Sequence, residues 1–144
     1  MTSPDPTIAN LLLVALTLLD QCSDLLQKLD GDSSKMTYET AALPGSTIGK
    51  HLRHLTDHFA LLCSSTQQCM SDPETQLSYD TRIRNGPAEV DAAAAEQGLA
   101  QLKATLRECA ERQWTSDQPV KLHAVTPFEV TTKSSVGREV CPLT

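Results

Sequence analysis

The sequence predicts an all-α fold, an up-and-down helical bundle with three long helices followed by a short β-strap and a truncated fourth helix. Leucine and alanine recur at spacings of three and four in three long segments, as on the buried face of an amphipathic helix. Aromatic residues make up only 3% of the 144 residues, so leucine and alanine must fill the core. After Trp114 apolar and polar residues alternate instead, which is typical of strands.

The first predicted helix carries the longest apolar pattern. It ends at Gly31, which is followed by the polar loop 32–34. Its apolar positions are Leu11, Leu12, Ala15, Leu18, Leu19, Cys22, Leu25, Leu26 and Leu29. Because these positions repeat at helical spacing, we expect one face of a core helix.

The second and third helices begin at recognisable start signals. Ser46 or Thr47 can cap a helix that runs to about Met70. Pro87 begins the third helix at the first helical position, where its missing N–H is not needed. The apolar positions of this helix are Ala92, Ala95, Leu99, Leu102, Leu106 and Cys109. Their spacing predicts packing in an antiparallel bundle.

The C-terminal segment predicts a strap and the start of a helix. Apolar residues alternate on both sides of a turn at Thr126 and Pro127, which favours a short β-ribbon. Ser134 or Ser135 can cap a helix with Glu139 in its first turn, where the helix dipole favours a carboxylate. Pro142 opposes continuation of this helix. We therefore expect one domain over residues 1–144, incomplete at its C-terminal end.

Composition and charge exclude several classes of function. Twelve Lys and Arg against 18 Asp and Glu give a net charge of −6 with no basic stripe, so we expect no nucleic-acid partner. The longest apolar run, 8–19, is interrupted by two polar residues and is too short to span a bilayer, so we expect no membrane partner. Asp5 stands where a signal peptide would carry Lys or Arg, and the five cysteines form no CxxC pair. These features favour a cytoplasmic protein.

Three of the four histidines, His51, His54 and His58, lie in the second predicted helix. At about 100° per residue they fall within roughly 60° of one another, in the sector of Leu55 and Leu62, so we expect them to face the interior or rim of the bundle. Neutral imidazoles at i and i+4, here His54 and His58, can bind one divalent ion of the zinc or nickel type. The alternative is histidines satisfied by hydrogen bonds, because metal ligands usually converge from several elements. No nucleophile or general base can be identified.

Three segments resemble the DinB/YfiT-like superfamily of four-helix bundles. Residues 47–59, TIGKHLRHLTDHF, resemble its second helix. Residues 79–85, YDTRIRN, resemble the loop that leads into the third helix of its stand-alone members, and 134–139, SSVGRE, resemble the start of their fourth helix. The order and spacing of these segments extend the resemblance over roughly residues 8–140.

The resemblance implies a divalent metal held by one histidine of the second helix and two of the fourth. His54 matches the second-helix ligand best, and His51 is the neighbouring candidate. The two fourth-helix ligands have no counterpart in this sequence, which supports the expectation of truncation. Arg82 and Arg84 share one side of an extended segment and could clamp the carboxylate or phosphate of a thiol cofactor. The alternative is that these arginines tie the loop to helix carboxylates.

Two functions stay open at this point. The resemblance implies a lineage of metal-dependent, thiol-transferase-like proteins, in which the metal lowers the pKa of a bound thiol or water. For the chain as given, we favour a non-catalytic helical interaction domain. Its open groove would be covered by a partner helix or by a second copy of the chain in a homodimer.

Overall fold

Three long helices dominate the chain. The structure is a computed structural model that describes residues 5–69, 71–72, 74–80, 86–112, 114–125 and 127–140, with only the backbone of Cys69 and Arg112. The long helices are α1 (Pro6–Lys28), α2 (Ile48–Cys69) and α4 (Ala92–Arg112), and they agree with the three predicted segments. The described part of the chain is mostly helical, which confirms the predicted class.

The helix ends follow from their capping residues. The Asp5 carboxylate accepts a hydrogen bond from the Thr7 amide at 2.8 Å and caps α1, with Pro6 at the first helical position. At the other end of α1, Asp30 and Gly31 have positive φ angles of 51° and 73°, which reverse the chain. A 3₁₀ helix (Ser33–Met36) follows. Of the two predicted caps of α2, Thr47 is the one whose hydroxyl accepts from the Lys50 amide, at 3.1 Å.

The third predicted helix is divided in two. A single turn, α3 (Pro87–Val90), precedes α4. Asp91 stands between them in an extended conformation, and its carboxylate accepts from the amides of Ala93 and Ala94 at 2.9 and 3.3 Å. The break therefore occurs where an aspartate caps the new helix.

Helix α4 is antiparallel to α1 and parallel to α2. At one end the Ser116 amide, just after α4, donates to Asp5 at 2.7 Å, so the end of α4 meets the start of α1. In contrast, Arg53 near the start of α2 pairs with Glu89 just before α4, and Gln67 near the end of α2 contacts Cys109 near the end of α4. The predicted up-and-down, antiparallel arrangement is therefore wrong for α2 and α4.

The length of the connection explains this parallel pair. A helix of 22 residues such as α2 is about 33 Å long, a distance that about ten extended residues can cover. Residues 70–91 are enough to return to the start of α2. The apolar spacing that predicted the helices says which face is buried but nothing about direction.

The predicted strap is present as two antiparallel strands. Strand β1 (Pro119–Ala124) pairs with β2 (Val130–Ser135), with Leu122 opposite Thr132. Leu77, in the connection before α3, adds a short parallel bridge to Leu122. One helical turn, α5 (Val136–Val140), follows β2 directly and contacts α1, in agreement with the predicted start of a fourth helix. Residues 141–144 lie outside the described part of the chain.

Leucine and alanine fill the core, as the composition predicts. All six predicted apolar positions of the third helix are buried. Trp114, the single tryptophan, is also buried, and its indole N–H donates to the Thr66 hydroxyl at 3.0 Å. The exception is α1, where only part of the predicted apolar face reaches the core.

Candidate functional site

Helix α1 has two apolar faces, of which one is exposed. Ala15, Leu19 and Leu26 are buried against the bundle. Val14, Leu18 and Leu25 lie on a second face, about 100° around the helix from the first. Their exposed fractions are 56%, 42% and 40%. We call these three residues the α1 outer face.

The α1 outer face corrects the sequence prediction of a single core face. The nine predicted positions span about 140° at 100° per residue, which is wider than the stripe of about 100° that a surface helix usually buries. The width of this apolar sector is the feature of the sequence that indicates a second apolar face on α1. Leu11 and Cys22 are partly buried at its edge, so the face continues into the core on one side.

Charged residues avoid the α1 outer face. Asp20 and Asp24 lie on other sides of the helix, and Asp20 pairs with Lys103 of α4 at 2.8 Å. Gln21 falls between Leu18 and Leu25 at helical spacing. An uncharged, apolar stripe of this kind is typical of a surface that is covered in an assembly.

Helix α1 is also long and apolar enough to cross a membrane. The helix has 23 residues, and 17% of the residues in its most apolar window are buried. This contrasts with the sequence estimate, which considered only the run 8–19. The core helix of a soluble protein and a signal sequence near the N-terminus pass the same test of length and composition.

A polar cluster joins α5 to α2. The rings of His58 and Tyr79 stack with centroids 4.5 Å apart, and His58 Nε2 lies 2.8 Å from the backbone oxygen of Glu139. The carboxylate of Glu139 is 7% exposed and accepts hydrogen bonds from the hydroxyls of Tyr79 and Ser134. We call these four residues the His58 cluster. Burial, together with the bond to Glu139, raises the pKa of Tyr79 above its usual range, so its hydroxyl stays a donor.

The predicted metal-binding histidines do not converge. His51 and His54 are exposed, and His51 Nε2 lies 2.6 Å from the Ser46 hydroxyl. Of the two positions expected for the histidines, the interior and the rim of the bundle, the interior is excluded, because α2 turns Leu52, Phe59 and Leu62 into the core and leaves the histidine sector at its margin. His58 is half-buried but is held by Glu139. Among the described residues, no group of three or more His, Cys, Asp or Glu side chains is placed to hold a metal ion.

The predicted anion site cannot be compared with the structure. Arg82 and Arg84 lie outside the described part of the chain. The neighbouring Asp80 accepts a hydrogen bond from the Val125 amide at 2.8 Å, which ties this connection to the end of β1.

A buried ion pair between α2 and α3 was not predicted. Arg53 Nη1 lies 2.7 Å from Glu89 Oε2, and the side chains are 17% and 7% exposed. A cavity of about 120 Å³ lies beside Arg53, with Leu52 and Leu99 in its walls. Arg53 lies beside the predicted histidine face, and no local pattern connects it to a glutamate 36 residues away. Nor did any sequence pattern indicate that α2 and α3 approach each other closely. They do so at Gly49, where a Cβ would lie 1.8 Å from the Glu89 carbonyl oxygen.

Comparisons with known proteins give no assignment. No protein-family model matches the chain, and neither a curated protein nor a solved structure is significantly similar to it. The function is therefore argued from the residues alone.

Proposed function

We propose that this chain is a non-catalytic helical interaction domain that pairs with a second copy of itself through the α1 outer face. The proposal depends on one observation. Val14, Leu18 and Leu25, three large apolar side chains on one side of α1, are each at least 40% exposed. Exposed apolar residues that line up on one face, in contrast to scattered ones, mark interaction surfaces.

A second copy suits this face better than a charged partner. In an antiparallel pairing of two α1 helices about a two-fold axis, Val14 of each copy would lie near Leu25 of the other. Leu18 of each copy would lie near Gln21 of the other, and the Gln21 amide could reach solvent at the edge of the interface. Such a self-complementary patch is what a two-fold interface requires. The stripe itself is uncharged, so the two copies do not repel one another there.

A membrane surface is a less suitable occupant. Helices that bind membrane surfaces usually carry Lys and Arg on their polar face. Helix α1 has Asp20 and Asp24 on its other faces and a single basic residue, Lys28, in its last turn. The net charge of −6 also disfavours an anionic lipid surface.

The test is the oligomeric state of the chain and of two matched variants. Sedimentation velocity should give a concentration-dependent dimer for the wild type. Leu18→Glu should be monomeric, with an unfolding free energy within about 0.5 kcal/mol of the wild-type monomer. Leu13→Glu is the control, because Leu13 is 65% exposed but lies about 100° away from Val14; this variant should still dimerise.

Three results would contradict the proposal. The wild type would be a monomer up to millimolar concentration, or Leu18→Glu would dimerise as the wild type does. The third is that the chain sediments with neutral phospholipid vesicles and Leu18→Glu does not, which would make the face a membrane surface.

Metal-dependent thiol transfer has less support from the geometry. The described residues offer exposed imidazoles at His51 and His54, and His58 already contacts the Glu139 carbonyl. They do not supply the three ligands that the resemblance implies, so we derive no catalytic step through a metal. Equilibrium dialysis with Zn²⁺ and Ni²⁺ distinguishes the two functions. Tight binding that is lost in His54→Ala would support the metal hypothesis, and a dimer whose stability does not change with metal would support the interaction domain.

A further inference from the structure

Two cysteines meet across the interface between α2 and α4. Cys63 of α2 is 2% exposed and Cys109 of α4 is fully buried, and both are free thiols. The Cys63 thiol donates a hydrogen bond to the Cys109 sulfur. A free thiol within a core usually behaves as a small hydrophobic group, whereas these two sulfurs interact with each other across two packed helices.

The surroundings of Cys109 stabilise a thiolate. Gln67 lies one turn after Cys63 on the same side of α2, and its amide nitrogen is 3.7 Å from Cys109 Sγ. Hydrogen bonds from Cys63 and then Gln67 lower the pKa of Cys109, against the effect of burial. The hydrogen bond to Cys109, together with burial, raises the pKa of Cys63. Cys109 is therefore the thiol of the pair that loses its proton more easily, and Cys63 is the one that keeps it, as in pairs of attacking and resolving thiols.

A groove reaches Cys63 from the surface. Cys63 and Gln67 form part of its wall, together with Ser64 of α2 and the α4 residues Gln101 and Thr105. Its volume is about 270 Å³, which is ample for a small oxidant. Of the two cysteines, Cys63 is the one in the groove wall, beside these polar side chains.

We propose that Cys63 and Cys109 form a reversible disulfide on reaction with a hydroperoxide, which covalently links α2 to α4. One S–S bond forms and the O–O bond of the peroxide breaks. The two thiols are oxidised and lose two protons and two electrons. The peroxide is reduced and takes them up as one water and one alcohol, or as two waters from hydrogen peroxide. A dithiol reductant reverses the reaction by thiol–disulfide exchange.

The disulfide would join α2 to α4 in one half of the bundle. Cys63 and Cys109 lie in the same half of the bundle as Trp114 and Thr66, at the C-terminal ends of the parallel helices. A disulfide there closes a loop of 45 residues between the two cysteines, which includes the whole connection from α2 to α4. Because a closed loop restricts the unfolded chain, the oxidised protein should unfold at higher denaturant concentration than the reduced protein.

The test uses the full chain with only this pair of cysteines, the triple variant Cys22→Ser, Cys69→Ser and Cys141→Ser. The folded protein is treated with hydrogen peroxide, unfolded, alkylated and measured as intact mass, and the linked peptides are then mapped. We expect a loss of two hydrogens without alkylation, a single peptide pair joining Cys63 and Cys109, and full alkylation after dithiothreitol. The urea midpoint should rise on oxidation and return on reduction.

Matched controls keep the outcome interpretable. Cys63→Ala in the same background should leave Cys109 to gain oxygen atoms, with no disulfide within the chain. The same mapping on the wild-type chain, with all five cysteines, shows whether the pair reacts in the native protein. The proposal is overturned if both cysteines of the pair variant stay fully alkylatable after peroxide, or if both become oxygenated without joining. A wild-type disulfide between other cysteines, with Cys63 and Cys109 reduced, would also overturn it.

Discussion

The α2–α4 interface and the α1 outer face use similar apolar side chains, but one is covered and the other is not. Between α2 and α4, Leu62, Leu99 and Leu106 are almost completely buried. On α1, Leu18 and Leu25 have the same spacing and are 42% and 40% exposed. The difference lies in the number of neighbours. A helix needs one packed neighbour for each apolar face, and the described chain supplies α1 with a long neighbour, α4, on one face only.

Breaking the buried ion pair between Arg53 and Glu89, beside the α2–α4 interface, should have the largest effect on stability. Arg53→Met keeps most of the side-chain volume but removes the guanidinium that lies 2.7 Å from the Glu89 carboxylate, between side chains that are 17% and 7% exposed. Breaking a buried pair in this way costs about 3–5 kcal/mol of unfolding free energy. Urea unfolding followed by circular dichroism measures the loss.

Arg107→Met is the control for this change. Arg107 lies on the exposed side of α4, so its replacement should change the unfolding free energy by no more than about 0.5 kcal/mol. Equal effects of the two substitutions would show that the pair contributes nothing specific at this interface.

Two adjacent leucines test the comparison within a single helix. Leu26 is 2% exposed and Leu25 is 40% exposed. Leu26→Ala should cost about 2–5 kcal/mol, because it removes buried carbon and leaves a cavity. Leu25→Ala should cost less than about 1 kcal/mol in the monomer and should weaken the proposed dimer. Urea unfolding at low protein concentration, where the dimer is dissociated, separates the two effects. A cost for Leu25→Ala as large as that for Leu26→Ala would mean that the α1 outer face is covered in the monomer.

Much of the fold could be predicted from the sequence, because the signals are local. Start signals such as Thr47 and Pro87 mark helix starts, and the spacing of leucine and alanine marks the buried faces. The strap was recognisable from alternation after Trp114. The parallel direction of α2 and α4 could not be predicted, since it depends on where residues 70–91 run and not on any local pattern.

The candidate site was less predictable, because it depends on contacts between distant residues. The exposure of Val14 and Leu18 depends on which helices pack against α1. His58 was identified as a functional residue for its imidazole, but its partners Tyr79 and Glu139 come from other elements. Cys63 and Cys109 are 46 positions apart, and neither has a sequence neighbour that indicates the pairing. The metal, cofactor and partner expectations stay predictions.

Alanine substitutions at two glycines should have smaller effects on stability, and these effects should have opposite signs. A Cβ at Gly49 would lie 1.8 Å from the Glu89 backbone oxygen, whereas a Cβ at Gly98 of α4 has no other atom within 4 Å. Gly49→Ala should therefore destabilise by about 1–3 kcal/mol, through forced separation of α2 and α3. Gly98→Ala should stabilise by about 0.5–1 kcal/mol, because alanine suits a helix interior better. Thermal unfolding of both variants measures the signs. Stabilisation by Gly49→Ala would show that α2 and α3 do not approach closely.

The smallest effect is expected at Asp5, and it should disappear in acid. Hydrogen bonds from the Ser116 backbone amide and side chain, and then from Thr7, lower the pKa of Asp5 to about 2. A carboxylate whose pKa is lower in the folded state stabilises the protein above the unfolded pKa of about 3.9, and this contribution is lost as the pH falls through the folded value. The wild type should therefore exceed Asp5→Ala in stability at pH 7, and the difference should shrink between about pH 4 and pH 2.

Urea unfolding at pH 7, 4, 3 and 2 measures the Asp5 effect. Asp24→Ala removes the same charge from an exposed position of α1 and controls for net charge. A constant difference between wild type and Asp5→Ala over the whole range would mean that the side chain acts by packing alone. A difference that closes in acid would place the bond between Asp5 and Ser116 among the contacts that hold α1 against α4. The start of α1 would then be fixed by its own chain, so that the outer face from Val14 to Leu25 is the part of the helix left for a partner.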